Sequence, residues 1–370
     1  MHQHAIPSAT RVALIGALLI VATALVPDSS AQSSQPHIPP TREIHHTQPS
    51  IRHAERELER FNNASSAPPV RSLRALASPS QRCAETGLWV TGGRGEIRHD
   101  DASQARALSA MMFLLDTPEA PPRLFQDVID PAGIAIINSI VPPRQAERGM
   151  RPYGPAYTDV GGIPFTVKGA HRPWQSTYQA QDNTLYEVVQ ALLRYRALCE
   201  TRKPGRLRAI DRALIGIGES ISVVVFHNGA LPGNWHYDST PAWARAWEPP
   251  VQMETYATVH AIRVLDLLLD QYAYTLPSDS EHPARWRAAQ AYCLDALYKT
   301  RLPNNQWPRF NQRFQHPHAG ETWRPAYGTP DGTILRYHDP DRVMSGYRWI
   351  IGDEHNANRI ILNTLRKHAR

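Results

Sequence analysis

DNTLYEVVQALL, residues 182–193, is the stretch whose reading decides the fold. Leu185, Val188, Val189, Leu192 and Leu193 recur there at i, i+3, i+4, i+7 and i+8, which places all five on one face of an α-helix. The same period returns on both sides. Leu108, Met111, Met112 and Leu115 mark an earlier helix. Later helices follow at Ile210, Leu214, Ile217, Ile221 and Val224, at Val259, Ile262, Leu265 and Leu269, and at Trp286, Ala289, Cys293 and Leu297, with a final one at Ile361, Leu362 and Leu365. Strand-like alternation is scarce, so the chain reads as all-α.

The connections between these helices are long and rich in Gly, Pro, Trp and Tyr, notably residues 154–181, 228–250 and 303–352. A plain helical bundle needs only ~2–8 residues per connection, and long loops tend to carry function. Helix pairs with their chemistry confined to long loops suggest an α/α toroid, or barrel, whose loops form a substrate cleft at one end. An irregular helical domain fits the periodicity equally well.

The amino terminus has a different character. Arg11 precedes an uninterrupted apolar run, residues 12–26, and Ser29-Ser30-Ala31 offers a small-x-small cleavage pattern. Residues 1–31 therefore read as a signal peptide cleaved near Ala31, the apolar run being shorter than the ~20 residues a spanning helix needs. Export to the periplasm or the medium is expected, without stable membrane insertion. Residues 32–80 are rich in Ser, Pro, His, Gln and Asn, with little to bury, and read as a disordered leader or linker. Within them IRHAERELERF, residues 51–61, has charges at helical spacing and suits a short exposed helix with too little apolar surface to fold alone. Residues 81–370 are left as one domain.

Charge and cysteines exclude several classes. The 40 Lys+Arg exceed the 34 Asp+Glu, giving a net charge of +6, which suits a polyanionic partner without naming it. The basic residues are scattered and no nucleic-acid-binding signature accompanies them, so nucleic acid is not expected. Cys83, Cys199 and Cys293 are too few and too far apart for a disulfide framework or a zinc site. At most one bridge could form, and Cys199 and Cys293 fit buried thiols in helical patterns. None of the 17 histidines has metal-motif company, and His236, His316 and His318 read as loop residues.

The densest segment is NWHYDSTPAWARAWEPPVQME, residues 234–254, which sets Trp235, Tyr237, Trp243 and Trp247 beside Asp238, Arg245 and Glu248. Aromatic faces stack on sugar rings and guanidinium forks hold carboxylates. A loop anchored by its tryptophans around a structural Arg-Glu pair is the plainer alternative.

This segment resembles the pectate lyases of family ten, through Trp235, Tyr237-Asp238 and Ala244-Arg245-Ala246-Trp247-Glu248-Pro249. The flanking order is similar too. Gly161-Gly162-Ile163-Pro164-Phe165 resembles the family's Gly-Gly-Trp-Pro turn, and Gln181-Asp182-Asn183 its Asn-Asp-Asp segment. Trp307-Pro308-Arg309-Phe310 resembles Trp-Ala-Arg-Phe, followed by Arg324-Pro325, Asp331-Gly332, Tyr337 and Gly346-Tyr347-Arg348-Trp349. The amino-terminal part of the family is echoed faintly, by Gly92-Gly93 and by Asp100-Asp101-Ala102-Ser103 before a helix. Three positions depart from the pattern: Ile163 replaces a tryptophan, Pro330 an arginine and Asn183 a carboxylate.

The resemblance implies a toroidal lyase that cleaves polygalacturonate, or a related uronan, by β-elimination. A base removes the C5 proton beside the carboxylate and the C4 oxygen leaves. Ca²⁺ held by carboxylate oxygens would spread the carbanion-like charge. On this reading Asp182 and Asp238 are metal ligands and Arg309 is the base. Arg245, Arg324 and Glu248 bind substrate, and Trp235, Trp247 and Tyr347 stack on it. A guanidinium acts as a base only where burial beside other cations weakens its hold on the proton. A helix N-cap for Asp182, a turn for Asp238 and structural ion pairs for the arginines remain open. So do two other functions: a glycoside hydrolase using Asp238 and Glu248, and a non-catalytic uronan-binding protein, which the departures at Pro330 and Asn183 motivate. The chain is expected to act as a monomer.

Overall fold

The structure, a computed structural model, describes residues 51–140, 162–169 and 177–369, with the exception of 94, 237, 244–249, 304, 317–319, 329–334 and 338–356. Residues 1–31, read above as an export signal, and Arg245, Trp247, Glu248, Pro330 and Tyr347 lie outside the described residues. Helices dominate: α1 (Ile51–Ala64), α2 (Leu73–Leu76), α3 (Ser103–Leu115), α4 (Asp130–Ile140), α5 (Thr184–Arg202), α6 (Leu207–Asn228), α7 (Thr255–Tyr272), α8 (His282–Thr300) and α9 (Ala357–His368).

The apolar stripes place these helices. All five periodic residues of α5 are buried, as are Ile210, Leu214, Ile217, Ile221 and Val224 of α6 and the four of α8. Burying each Leu- or Ile-sized side chain is worth ~1.5–3 kcal/mol. One core runs through all of the ring helices. Helices α3, α5 and α7 are successive neighbours, with α1 against α3 and α9 against α7; α4, α6 and α8 back them as a second layer. This is an open α/α toroid, not a closed barrel.

Two glycines let neighbouring helices approach closely. A Cβ on Gly133 of α4 would lie 2.5 Å from the Tyr195 ring of α5, and one on Gly218 of α6 would lie 2.7 Å from Trp286 of α8. The Tyr195 hydroxyl donates to Asp130 Oδ1 at 2.6 Å, and the same carboxylate accepts from Lys203 and Arg206. Burial raises the Asp130 carboxyl, but the hydrogen bonds from Arg206, Tyr195 and Lys203 overcome it and hold the group at about 2.

One sequence expectation needs correction. The leader does not extend to residue 80: α1 buries Ala54, Leu58 and Phe61 in the common core and packs along α3. Three apolar residues cannot fold a helix alone, but they suffice when a preformed helix offers the opposite surface. Short strands accompany the helices. Strands β1 (Ile97–Arg98) and β2 (Thr166–Lys168) pair, as do β3 (Tyr178–Gln179) and β4 (Asn234–Trp235). Beyond them β5 (Met253–Glu254), β6 (Phe310–His316), β7 (Gly320–Gly328) and β8 (Leu335–Tyr337) form a four-stranded antiparallel sheet. In FNQRFQH, residues 310–316, both alternating sets contain polar residues, so no period-2 apolar signal announces a strand.

The three cysteines are free, Cys199 and Cys293 being buried. Among the described residues no helix is long and apolar enough to cross a membrane.

Candidate functional site

Three inner helices begin at one place. The turn before α3 carries Asp100 and Asp101, the turn before α5 carries Asp182 and Asn183, and β5 delivers Glu254 as the N-cap of α7. Carboxylate oxygens of Asp100, Asp101 and Asp182 lie within 4.8 Å of one another. The Ala102 N–H donates to Thr184 Oγ1 at 3.1 Å, tying the first two turns together.

Both turns are strained in the same way. Asp101 (φ 51°) and Ala102 (φ 58°) precede α3, and Asp182 (φ 53°) and Asn183 (φ 64°) precede α5, all in the left-handed region. Asp and Asn tolerate that conformation; Ala does not, at a cost of ~1–2 kcal/mol. Such strain gathers where a site over-determines its backbone.

Arg309 enters from the sheet. Register pairs Glu254 with Phe310, and the Thr255 N–H donates to the Arg309 carbonyl at 2.8 Å, so the Arg309 side chain reaches Glu254 and Asp182 together. Its Nε donates to Glu254 Oε1 at 3.0 Å, and Nη2 stands 3.9 Å from Asp182 Oδ1. Glu254 is 1% exposed, and its other oxygen caps α7 by accepting from the Ala257 N–H. Burial pushes the Glu254 carboxyl up to about 7, against the pull of Arg309. Arg309 and Asp182 keep 23% and 28% of their side chains in solvent, so they form the reachable edge of the site and Glu254 its floor.

Of the residues that the sequence singled out, Arg309 and Asp182 come together. Asp182 is not a helix cap, because that position belongs to Asn183. Asp238 is absent from the aspartate cluster; its Oδ1 accepts from the Thr240 N–H at 3.0 Å and from the Thr240 hydroxyl, the geometry of a turn residue. Trp235 is 1% exposed and packs in the core with Tyr178 at 6.1 Å between ring centroids. It offers no face to a sugar. Arg324 is exposed on β7, opposite Gln312.

The described neighbours of Arg309 include two carboxylates, those of Asp182 and Glu254. Sequence reading missed Glu254, Asp100 and Asp101 as site residues. The recoverable signal was a repeat: Asp100-Asp101 and Asp182-Asn183 both stand directly before apolar helices.

No protein-family model matches the chain, and no curated protein does. Solved structures do match. The family 10 polysaccharide lyase from Cellvibrio cellulosa aligns with a TM-score of 0.53 and 14% identity, over 85% of this chain and 95% of that one. A mutant of that lyase in complex with trigalacturonic acid aligns with a TM-score of 0.53 and 13% identity, over 86% and 98%. At such identities the likeness is one of fold, and the fold is the α/α toroid of a polysaccharide lyase.

Proposed function

We propose that the protein is an exported lyase that cleaves an acidic polysaccharide of the polygalacturonate kind by β-elimination. The observation that carries this reading is the pairing of a solvent-facing cation, Arg309, with a cluster of three aspartates at the meeting point of helix N-termini. The polysaccharide-lyase fold, seen in a neighbour together with trigalacturonic acid, supports it.

Removing the C5 proton of a uronate builds negative charge on the sugar carboxylate. Arg309, held in place by Glu254, can take the C5 proton, and the guanidinium so charged stabilises the enolate, a use of preorganised charge worth ~3–4 kcal/mol in comparable sites. The oxygen donors of Asp100, Asp101 and Asp182 suit a hard cation. Ca²⁺ held there would supply a second positive charge to the substrate carboxylate. The three carboxylates would fix its position, and a cation there, close to Arg309, would weaken the guanidinium's hold on its proton so that Arg309 can serve as the base.

The test is ultraviolet absorbance of the unsaturated product during incubation with polygalacturonate and Ca²⁺. Wild type should generate absorbance and Arg309→Ala should lose about a hundredfold of the rate. Cleavage without absorbance would indicate a hydrolase, and binding without cleavage a non-catalytic uronan-binding protein.

A further inference from the structure

The three clustered aspartates come from two turns that lie far apart in sequence. Asp100 and Asp101 precede α3, Asp182 precedes α5, and their carboxylate oxygens stand within 4.8 Å of one another. Like charges at that spacing push the two turns apart. At the head of α5 one buried hydroxyl spans the joint. Thr184, the first residue of α5 and fully buried, accepts from the Ala102 N–H at 3.1 Å through Oγ1, and the same hydroxyl donates toward the His99 carbonyl at 3.5 Å. Residues 99 and 102 are the two flanks of Asp100-Asp101. A single side chain, two residues after Asp182, therefore engages both sides of the dipeptide that carries the other two carboxylates.

What the hydroxyl engages is itself anchored. The His99 N–H donates to the Phe165 carbonyl at 3.0 Å, and the buried His99 ring meets Ser139 Oγ of α4 at 2.8 Å through Nε2. The Ser103 hydroxyl donates to the Arg98 carbonyl at 2.8 Å. On the other side of the joint, the Thr184 N–H donates to the Gln181 carbonyl at 3.0 Å and the Glu187 N–H to the Asn183 carbonyl at 2.9 Å. Each turn is thus stiffened by its own bonds. An apolar contact between them would fill space without fixing a direction, whereas a hydroxyl that accepts from one flank and donates to the other fixes both distance and angle.

We infer that Thr184 is a positioning residue: by holding the Asp182 turn against the Asp100-Asp101 turn it sets the spacing of the three carboxylates, and with it their affinity for a hard cation. Its oxygen is engaged with backbone on both flanks, so it acts through the turns and not as a ligand. Groups that support metal ligands in this way govern affinity by about 10–100-fold. The inference rests on the cation half of the lyase reading and is indifferent to which polymer is cleaved.

The experiment is calorimetric titration of the full chain with Ca²⁺ alone. Thr184→Val keeps the shape of the side chain and removes the hydroxyl, and should bind Ca²⁺ at least about tenfold more weakly than wild type. Thr184→Ser keeps the hydroxyl and should stay within about twofold, because the hydroxyl carries the hydrogen bonds. Thr184→Ala covers the case in which the Val variant does not fold; a water can enter in place of the lost group, so its loss should be smaller, about fivefold. Gly133→Ala disturbs the packing of α4 on Tyr195, away from the turns, and should stay within about twofold while lowering the thermal midpoint. Wild-type affinity in Thr184→Val and Thr184→Ala would overturn the proposal and leave the lyase reading untouched. An equal loss in Thr184→Ser would trace the effect to the methyl group, and an equal loss in Gly133→Ala to stability at large; either would also overturn it. So would a wild type that binds no Ca²⁺, which would remove the cation from the lyase reading as well. The expected order of affinities, with no unsaturated product from polygalacturonate, would count against the lyase reading alone.

Discussion

Replacing Glu254 by Gln removes one charge from the floor of the site while keeping its shape. The Glu254 carboxyl, 1% exposed, is pushed from 4.5 up to about 7, so the folded protein prefers its protonated form more than the unfolded chain does. Stability from this group is fully present below pH 4.5 and is lost as the pH rises through about 7. The shift corresponds to about 3 kcal/mol. Gln is neutral throughout and cannot lose that stability. It also loses an acceptor, because one amide oxygen must serve both Arg309 Nε and the Ala257 N–H, at a pH-independent cost of ~1–3 kcal/mol. The difference in unfolding free energy between E254Q and wild type should therefore move in favour of the variant by about 3 kcal/mol between pH 4.5 and 8, then stay level. Urea unfolding at half-unit pH intervals measures it, all other titrations cancelling in the difference. Parallel curves for the two proteins would refute the assignment of a buried, proton-favouring carboxyl at this position.

Asp182→Asn should weaken Ca²⁺ binding by about tenfold or more in calorimetry, because it removes one of three clustered carboxylates, whereas Asp238→Asn should leave it unchanged. Asp130→Asn should lower stability by about 1–2 kcal/mol near neutral pH, toward the low end because Lys203 and Arg206 reach the carboxylate from solvent. Since Asp130 is held at about 2 from 3.8, its contribution is present above pH 3.8 and lost as the pH falls through about 2, so the variant's acid-unfolding curve should lack that component. Gly133→Ala should lower stability by ~1–3 kcal/mol through the clash with Tyr195, visible as a reduced thermal midpoint.

The helical ring was legible because its signal is local. Leu185 to Leu193 or Trp286 to Leu297 declare a buried face without reference to anything distant in sequence. What stayed hidden depends on partners far along the chain. Helix α1 reads as solvated because Arg and Glu alternate through it, and only the surface of α3 makes Ala54, Leu58 and Phe61 a core face. Strands β6 and β7 lack apolar alternation. The role of Glu254 needs β5 to pair with β6, since no spacing rule connects residue 254 to residue 309. Trp235 shows the opposite error: an aromatic in a motif rich in tryptophan looks available for stacking, and the β3–β4 pairing turns it inward.

The division of labour between ring and sheet follows from these differences. Carboxylates crowded within 4.8 Å repel one another, and a protein must offset that repulsion before any metal or substrate arrives. Here the acidic residues sit at the beginnings of α3, α5 and α7, where unpaired N–H groups carry a partial positive charge and favour an anion by ~0.3–1 kcal/mol each. Arg309, delivered by β6, adds a full charge against Asp182 and Glu254. The helix ends thus favour the negative charge, and the sheet side adds positive charge at the edge that faces solvent. Moving Arg309 to a helix would forfeit the reach that the pairing of Glu254 with Phe310 provides. Moving the aspartates to the sheet would forfeit the helix-end field that makes their crowding tolerable.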